Sequence, residues 1–367
     1  MTYSVPASLL LAGEYALTRP GGEGIALAVA PRARASFQDD GGPRETAAFR
    51  RDILRGTPPL RVRAIQGSAG TALWPHDHLP VVQCVLTALM ELLPREGQAT
   101  APVRDDYPVR DDCPPRTVTV DTSCFFSARG GVKQGLGSSA AATVLLVAAL
   151  LHLIGLDPLK EIPLLFRIAH RAHRVLQGGR GSGYDLACSI TGGTIRFRGG
   201  DPPGWTSLDL HTRWEAGGIS LFSSASGSPV KSGPAVEAFT RAFPRGSVEA
   251  ERFLERNNAI VGSLGRAESR EALFSALAEA RELSQQLGER IGVPAVAPLA
   301  GADDLWRAKT SGAGDEQIIL FVAAAPGGDA SPGGPRREAL PGAGPREMVP
   351  LTVEPRGLIR EEVSCEK

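Results

Sequence analysis

Apolar and polar positions alternate between two rhythms from one end of the chain to the other, which predicts strands and helices sharing layers. Residues 3–11 are mostly apolar and predict a strand, and Gly24–Ala30 predicts a second one ending before Pro31. Leu79–Leu93 carries Val82, Leu86, Leu89 and Leu93 at helical spacing. Thr117–Asp121 predicts a strand, followed by helices over 138–156 and Ile162–Leu176, and Ala187–Phe197 predicts a return to strand. Glycine, proline and aspartate cluster at 200–206 and mark a domain boundary. Beyond it come a strand at Gly218–Ser223, a small-residue loop at Ser224–Gly233, helices at Pro234–Phe243, Ser247–Leu264 and Arg270–Ile291, and a strand at Gln317–Ala323. Gly97–Pro115 reads as an exposed insertion and 325–335 as a flexible loop, whereas Met348–Val353 and Gly357-Leu358 read as a folded end. The fold class is α+β, with an N-terminal domain over 1–200 and a C-terminal domain over 201–367.

A chain of 367 residues has ample core for two domains. Forty basic and forty acidic residues balance, so no global field favours nucleic acid or an anionic membrane surface. The cysteines (84, 113, 124, 188 and 365) are odd in number and lack C-x-x-C spacing, which fits a reduced cytosol better than a disulfide framework or structural zinc. No basic segment precedes an apolar core at the N-terminus, so a cytoplasmic protein is expected. The Ala140–Leu156 run approaches membrane-spanning length, but it contains His152 and follows a glycine loop, so a buried core helix is the better reading.

That loop carries the chemistry. Residues 133–142 read Lys-Gln-Gly-Leu-Gly-Ser-Ser-Ala-Ala-Ala. Gly135 and Gly137 permit a tight turn around Leu136, and Ser138 and Ser139 are placed to cap the helix continuing through Ala140. The exposed N–H groups and dipole of a helix start favour an anion, so the segment is a phosphate cradle, and a side chain on Gly137 is expected to intrude on the phosphates. It is not a P-loop, since no lysine occupies that motif's position. The Gly-x-Gly-x-x-Ala pattern is compatible with dinucleotide binding, but the helix leaves no room for the second strand that reading needs before Asp157. A plain glycine turn capping a buried helix stays open.

The same loop resembles the second motif of the GHMP kinases, which include galactokinase, homoserine kinase, mevalonate kinase and phosphomevalonate kinase. Three further segments resemble that family in the right order. Pro6-Ala-Ser-Leu-Leu-Leu-Ala-Gly-Glu14-Tyr15-Ala16 resembles its first motif in the form typical of phosphomevalonate kinases. Gln177-Gly-Gly-Arg-Gly-Ser182-Gly183-Tyr-Asp185 resembles their Gln-Gly-Lys-x-Gly-Ser-Gly-Phe-Asp segment, and Lys309-Thr-Ser311-Gly312-Ala313-Gly314 resembles the opening of the third motif. The resemblance implies a two-domain fold with an ATP cleft between the domains, ATP and Mg2+ as cofactors, a phosphorylated small-molecule substrate, and a monomer or homodimer. It implies nucleotide binding by Gly135, Leu136, Gly137, Ser138, Ser139 and Ala140, with a loop serine (Ser138 or Ser139) on the metal. It also implies substrate contacts from Glu14, Tyr15, Ser182, Gly183, Lys231, Ser311, Gly312 and Ala313, and catalysis by Lys133 and Asp185.

The residues also bear on the acceptor. Only five of the basic residues are lysine (133, 160, 231, 309 and 367), and three lie in or beside these segments. A phosphate acceptor needs cations against charge repulsion, whereas an alcohol needs a carboxylate to manage its proton. Lys133 before the loop, and Arg174 where mevalonate-kinase-like enzymes carry a metal-binding glutamate, favour a phosphate. Asp185 reads either as an active-site carboxylate or as a helix N-cap, and His170 and His173 as packing residues rather than metal ligands. The segment around Lys231 matches a family substrate loop only loosely. Three departures bear on activity: Ser8 replaces the first motif's lysine, Gly179 replaces that of Gln-Gly-Lys beside Arg180, and Asp315-Glu316 replace glycines of the third motif. Mevalonate kinase, a sugar kinase or a non-catalytic binding protein of the same fold are the alternatives.

Overall fold

The computed structural model describes residues 1–37, 43–54, 60–66, 69–75, 79–93, 116–126, 134–225, 232–293, 306–312, 314, 317–323 and 349–361. Two sheets organise the chain. The first contains β1 (Thr2–Ala12), β2 (Glu23–Phe37), β3 (Leu60–Gln66), β4 (Ala69–Pro75), β5 (Arg116–Asp121), β6 (Thr194–Arg198), β7 (Gly204–Leu208) and β12 (Ile359–Glu361). Its order is β12-β1-β2-β5-β3-β4, with β6 joining β2 and β7 joining β6; β3 and β5 run parallel and the other pairs antiparallel. The second sheet is antiparallel, in the order β11 (Val349–Pro350), β8 (Ile219–Ala225), β10 (Gln317–Ala323), β9 (Trp306–Ser311).

β1 is buried at every position from Tyr3 to Ala12, which is why its sequence reads as a continuous run rather than an alternation. α3 (Ser138–Leu153) is apolar on all sides because it packs among β1, β2, α4 (Ile162–Leu176) and α5 (Tyr184–Thr191). Truncating a side chain such as Leu145 or Leu150, both fully buried, costs about 2–5 kcal/mol. α4 instead buries one stripe, Leu165, Ile168, Ala169 and Ala172, at 3–4-residue spacing.

The second half adds α6 (Leu210–Ala216), α7 (Ser232–Ala242), α8 (Val248–Arg266) and α9 (Arg270–Ile291). Ser247 and Ser269 cap α8 and α9 by accepting from the N–H groups of Ala250 and Ala272. α8 also holds the two halves together: Asn257 and Asn258 donate to the carbonyls of Glu23 and Gly21 at 2.8 and 2.9 Å. Arg19 donates to the Phe243 carbonyl and lies over the Phe239 ring.

The structure corrects three expectations. The 187–197 run is the end of helix α5 followed by β6, separated by Gly192 and Gly193 in the left-handed region. The helix predicted over 138–156 stops at Leu153, just before Gly155 at φ 84°. β8 extends through Ala225, so the loop predicted from Ser224 starts later. α1 (Pro43–Leu54) and the β3–β4 hairpin lie where no element was predicted. The first sheet continues past position 200 through β7 and regains β12 from the far end of the chain. The predicted 97–115 insertion and 325–335 loop lie outside the described residues.

Candidate active site

The glycine loop turns between β5 and α3. Gly135 and Gly137 have φ of 67° and 74°, the left-handed region that glycine enters without strain. Three contacts pin the turn. The Ser8 N–H donates to the Leu136 carbonyl (3.2 Å), the Gln134 N–H donates to the Phe125 carbonyl (3.1 Å), and Gln317 donates its side-chain amide to the Gln134 carbonyl. A Cβ on Gly137 would lie 2.4 Å from Ser8 Oγ, so β1 itself excludes a side chain there; the expected clash with phosphates is not the first obstacle. Gly137 is also the helix cap. Ser138 and Ser139, expected to cap α3, are its first helical residues, and the N-terminus has no side-chain cap and no acid in its first turn. Among the described residues no side chain caps its leading N–H groups, an arrangement that suits an anion. Ser138 is buried, while Ser139 is partly open and its carbonyl accepts the Thr143 hydroxyl.

A cleft of about 140 Å³ brings the other motif segments together. Glu14 and Tyr15 reach it from the end of β1, Ser182 and Asp185 from the turn into α5, and Gly312 from the end of β9. Gln177, Arg180 and Val236 are also in its wall. Tyr15 has φ 61°, uncommon for a bulky residue, and its ring stacks on Phe239 with centroids 5.4 Å apart. Burial, reinforced by Glu14, pushes its phenol well above the usual range, so it stays protonated. The Glu14 carboxylate is taken by Lys309, whose side chain is 1% exposed and whose ammonium also donates to the Thr310 carbonyl.

Asp185 sits in the first turn of α5, and its Oδ1 accepts from the Leu186 N–H at 3.0 Å. Gly183 is the N-cap, which removes the capping explanation of Asp185. Gly183 is buried behind the cleft, where a Cβ would meet the His170 ring at 2.6 Å. His170 stacks on Phe166, and burial lowers its pKa, with Arg174 next in effect. His173 is buried and pairs with the Gln177 amide. The described residues contain no group of three His, Cys, Asp or Glu placed to hold a metal. Arg174 faces Asp201 at 3.7 Å and the Gly179 carbonyl at 3.4 Å, engaged beside the turn rather than in the cleft wall. Ser311 is buried at the end of β9. Lys133, Lys231, Ala313, Asp315 and Glu316 lie outside the described residues.

The structure therefore joins Glu14, Tyr15, Ser182, Asp185 and Gly312 in one cleft, with Gly135–Ala140 forming the separate helix-start cradle. Sequence reasoning missed Glu237 of α7, which lies 2.6 Å from Arg180. A single acid on an amphipathic helix carries no signal of its own. Lys309 did leave one, as a lysine in an arginine-rich chain.

Fold and cradle define a GHMP-kinase-fold protein: residues 118–193 match the GHMP kinases N terminal domain. The proteins it is similar to in sequence include phosphomevalonate kinases. The chain is 27% identical over 342 residues to phosphomevalonate kinase of Streptomyces sp. (strain CL190), covering 84% of this chain and 86% of that protein. It is 44% identical over 78 residues to the peroxisomal phosphomevalonate kinase of Arabidopsis thaliana, a match spanning 18% of this chain and only 15% of that protein. The Streptococcus pneumoniae phosphomevalonate kinase, solved with phosphomevalonate and AMPPNP, superposes with a TM-score of 0.61 at 19% identity, covering 89% of this chain and 93% of that one. The L. major mevalonate kinase, solved with R-mevalonate, superposes with a TM-score of 0.57 at 16% identity over 97% of each chain. No helix among the described residues is long and apolar enough to cross a membrane.

Proposed function

We propose that this chain is an ATP-dependent phosphomevalonate kinase, moving the γ-phosphate of ATP onto the phosphate of 5-phosphomevalonate. The observation that carries this reading is the meeting of Glu14, Tyr15, Ser182, Asp185 and Gly312 in one cleft of a chain that also builds an uncapped, acid-free helix start. The backbone N–H groups that open α3 hold the nucleotide's phosphates, and Gly135 and Gly137 let the main chain approach them. Mg2+, when bound, neutralises phosphate charge; the Ser139 hydroxyl, more open than that of Ser138, is the loop ligand for it.

A phosphomonoester has its second pKa at about 6, so the acceptor is already mostly a nucleophilic dianion at neutral pH. The site's task is to offset repulsion between two phosphates rather than to remove a proton. Lys133, directly before the cradle, supplies that charge, and Asp185 orients the lysine and the acceptor. Lys231 and Ala313 complete the substrate side. The protein works in the cytoplasm as a monomer or homodimer, with the domains divided near residue 200.

One observation favours a second reading. Asp185 lines the cleft with no cation paired to it among the described residues, as an alcohol-phosphorylating mevalonate or sugar kinase would require. ADP release measured with phosphomevalonate, mevalonate and a panel of sugars decides between them. Turnover should be fastest with phosphomevalonate. Faster turnover with mevalonate or a sugar replaces the proposal, and silence on every substrate favours a binding protein of this fold.

A further inference from the structure

The cleft wall offers little positive charge to an anionic ligand. Among its described lining residues the acids are Glu14 and Asp185, and the cation is Arg180. The charge of Glu14 is neutralised by Lys309, which is buried behind it. Arg180 lies in the turn before α5, and its Nη1 is 2.6 Å from Oε1 of Glu237 on α7 in the other half of the chain. Both side chains are 44% exposed, so the pair can part in favour of water or a ligand at small cost. The turn is suited to such an exchange: Gly178 and Gly179 adopt positive φ, and their Cα positions face open space.

Resting on the phosphomevalonate kinase reading, we propose that Arg180 is the anchor for the acceptor's phosphate and that Glu237 holds the guanidinium until a phosphate takes it. Guanidinium binds phosphate and carboxylate with the same two-pronged geometry, so the two compete for one site. A phosphate dianion displaces the single charge of Glu237. A ligand carrying only one carboxylate gains little by the exchange. Glu237 thereby keeps a lone carboxylate off Arg180: only a ligand that takes the guanidinium must displace Glu237, and a phosphate gains enough to do so. The pair also bridges the two halves of the chain beside the cleft.

Calorimetric titrations of the full chain with inorganic phosphate, phosphomevalonate and mevalonate test this on wild type, Arg180→Gln, Glu237→Gln and the double variant, with ADP present to fill the nucleotide cradle. Arg180→Gln should weaken inorganic phosphate and phosphomevalonate about 10- to 100-fold, the scale of a lost charged hydrogen bond, and leave mevalonate nearly unchanged. Glu237→Gln should tighten both phosphates about 2- to 5-fold, the scale of an exposed ion pair. The double variant should match Arg180→Gln alone. Unchanged phosphate affinity in Arg180→Gln, or weaker binding in Glu237→Gln, overturns the proposal whether or not phosphomevalonate is turned over. If the phosphate effects appear as expected but phosphomevalonate is not a substrate, the anion site stands and the assigned activity falls.

Discussion

Lys309 and Glu14 grip each other out of reach of solvent, joining the end of β9 to the end of β1. The lysine side chain is 1% exposed and the carboxylate 10%. A buried pair of this kind adds little over an apolar pair of similar shape, but losing one member strands the other charge. In this chain the pair also decides which carboxylates remain available to a ligand, since Glu14 is occupied and Asp185 is not paired with a cation among the described residues.

Lys309→Met should therefore destabilise the protein by about 3–5 kcal/mol, read from urea or thermal unfolding. The double change Glu14→Gln with Lys309→Met should recover much of that loss. If Lys309→Met alone unfolds like wild type, the pair is not buried in solution.

Gly137→Ala combines two penalties. The left-handed backbone costs a non-glycine residue about 1–2 kcal/mol, and the new Cβ meets Ser8 Oγ at 2.4 Å. Nucleotide binding should weaken together with stability. Adding Ser8→Ala removes the hydroxyl and should restore the steric part of the stability but not the conformational part. A double variant no more stable than Gly137→Ala would place the obstacle elsewhere.

The acceptor leaves a signature in two single variants measured at saturating ATP. With a phosphate acceptor, Lys133→Met should lower kcat by roughly 10²-fold, the size of losing one transition-state donor, with a smaller change in KM. Asp185→Asn should be the milder lesion. The reverse order would mark Asp185 as the base for an alcohol.

Acid should weaken the fold through His170. Burial, with Arg174 next, holds its pKa below the ordinary 6.5, while Asp201 and Asp185 pull the other way. The unfolded chain therefore takes up the proton first as pH falls. The contribution of His170 is complete above about pH 6.5 and is lost as pH drops through its lower folded value. Melting temperatures followed from pH 8 to pH 5 should fall on the acid side, and His170→Gln should flatten that fall. An identical pH profile in the variant would remove His170 as the cause.

The sequence exposed most of the framework that carries the site. α4 was predicted at Ile162–Leu176, its observed bounds, because one apolar stripe repeats at helical spacing. The cradle was visible because two glycines flank one residue ahead of an apolar run. α5 was hidden for the opposite reason: a buried helix and a buried strand are apolar at nearly every position, so periodicity cannot part them, and only Gly192-Gly193 marks the change. Ser8 looked like a lost lysine, whereas in the fold its hydroxyl is the surface against which Gly137 packs. Glu237 and Lys309 owe their roles to neighbours 57 and 295 positions away in the sequence, which no local pattern can reveal.

The returning segment at 349–361 ties synthesis order to folding. β11 pairs with β8 in the second sheet, Leu358 donates to the Ile190 carbonyl, and β12 completes the edge of β1 from Thr2 to Ser4. Arg32 on β2 clamps the same segment through Glu354 and the carbonyls of Arg356 and Gly357. During translation the start of β1 emerges more than 350 residues ahead of the strand that covers it. Until that segment leaves the ribosome, the start of β1 presents a bare edge, the kind of surface that recruits other chains. Yield in a cell is thus tied to the integrity of a short segment that takes no part in lining the cleft.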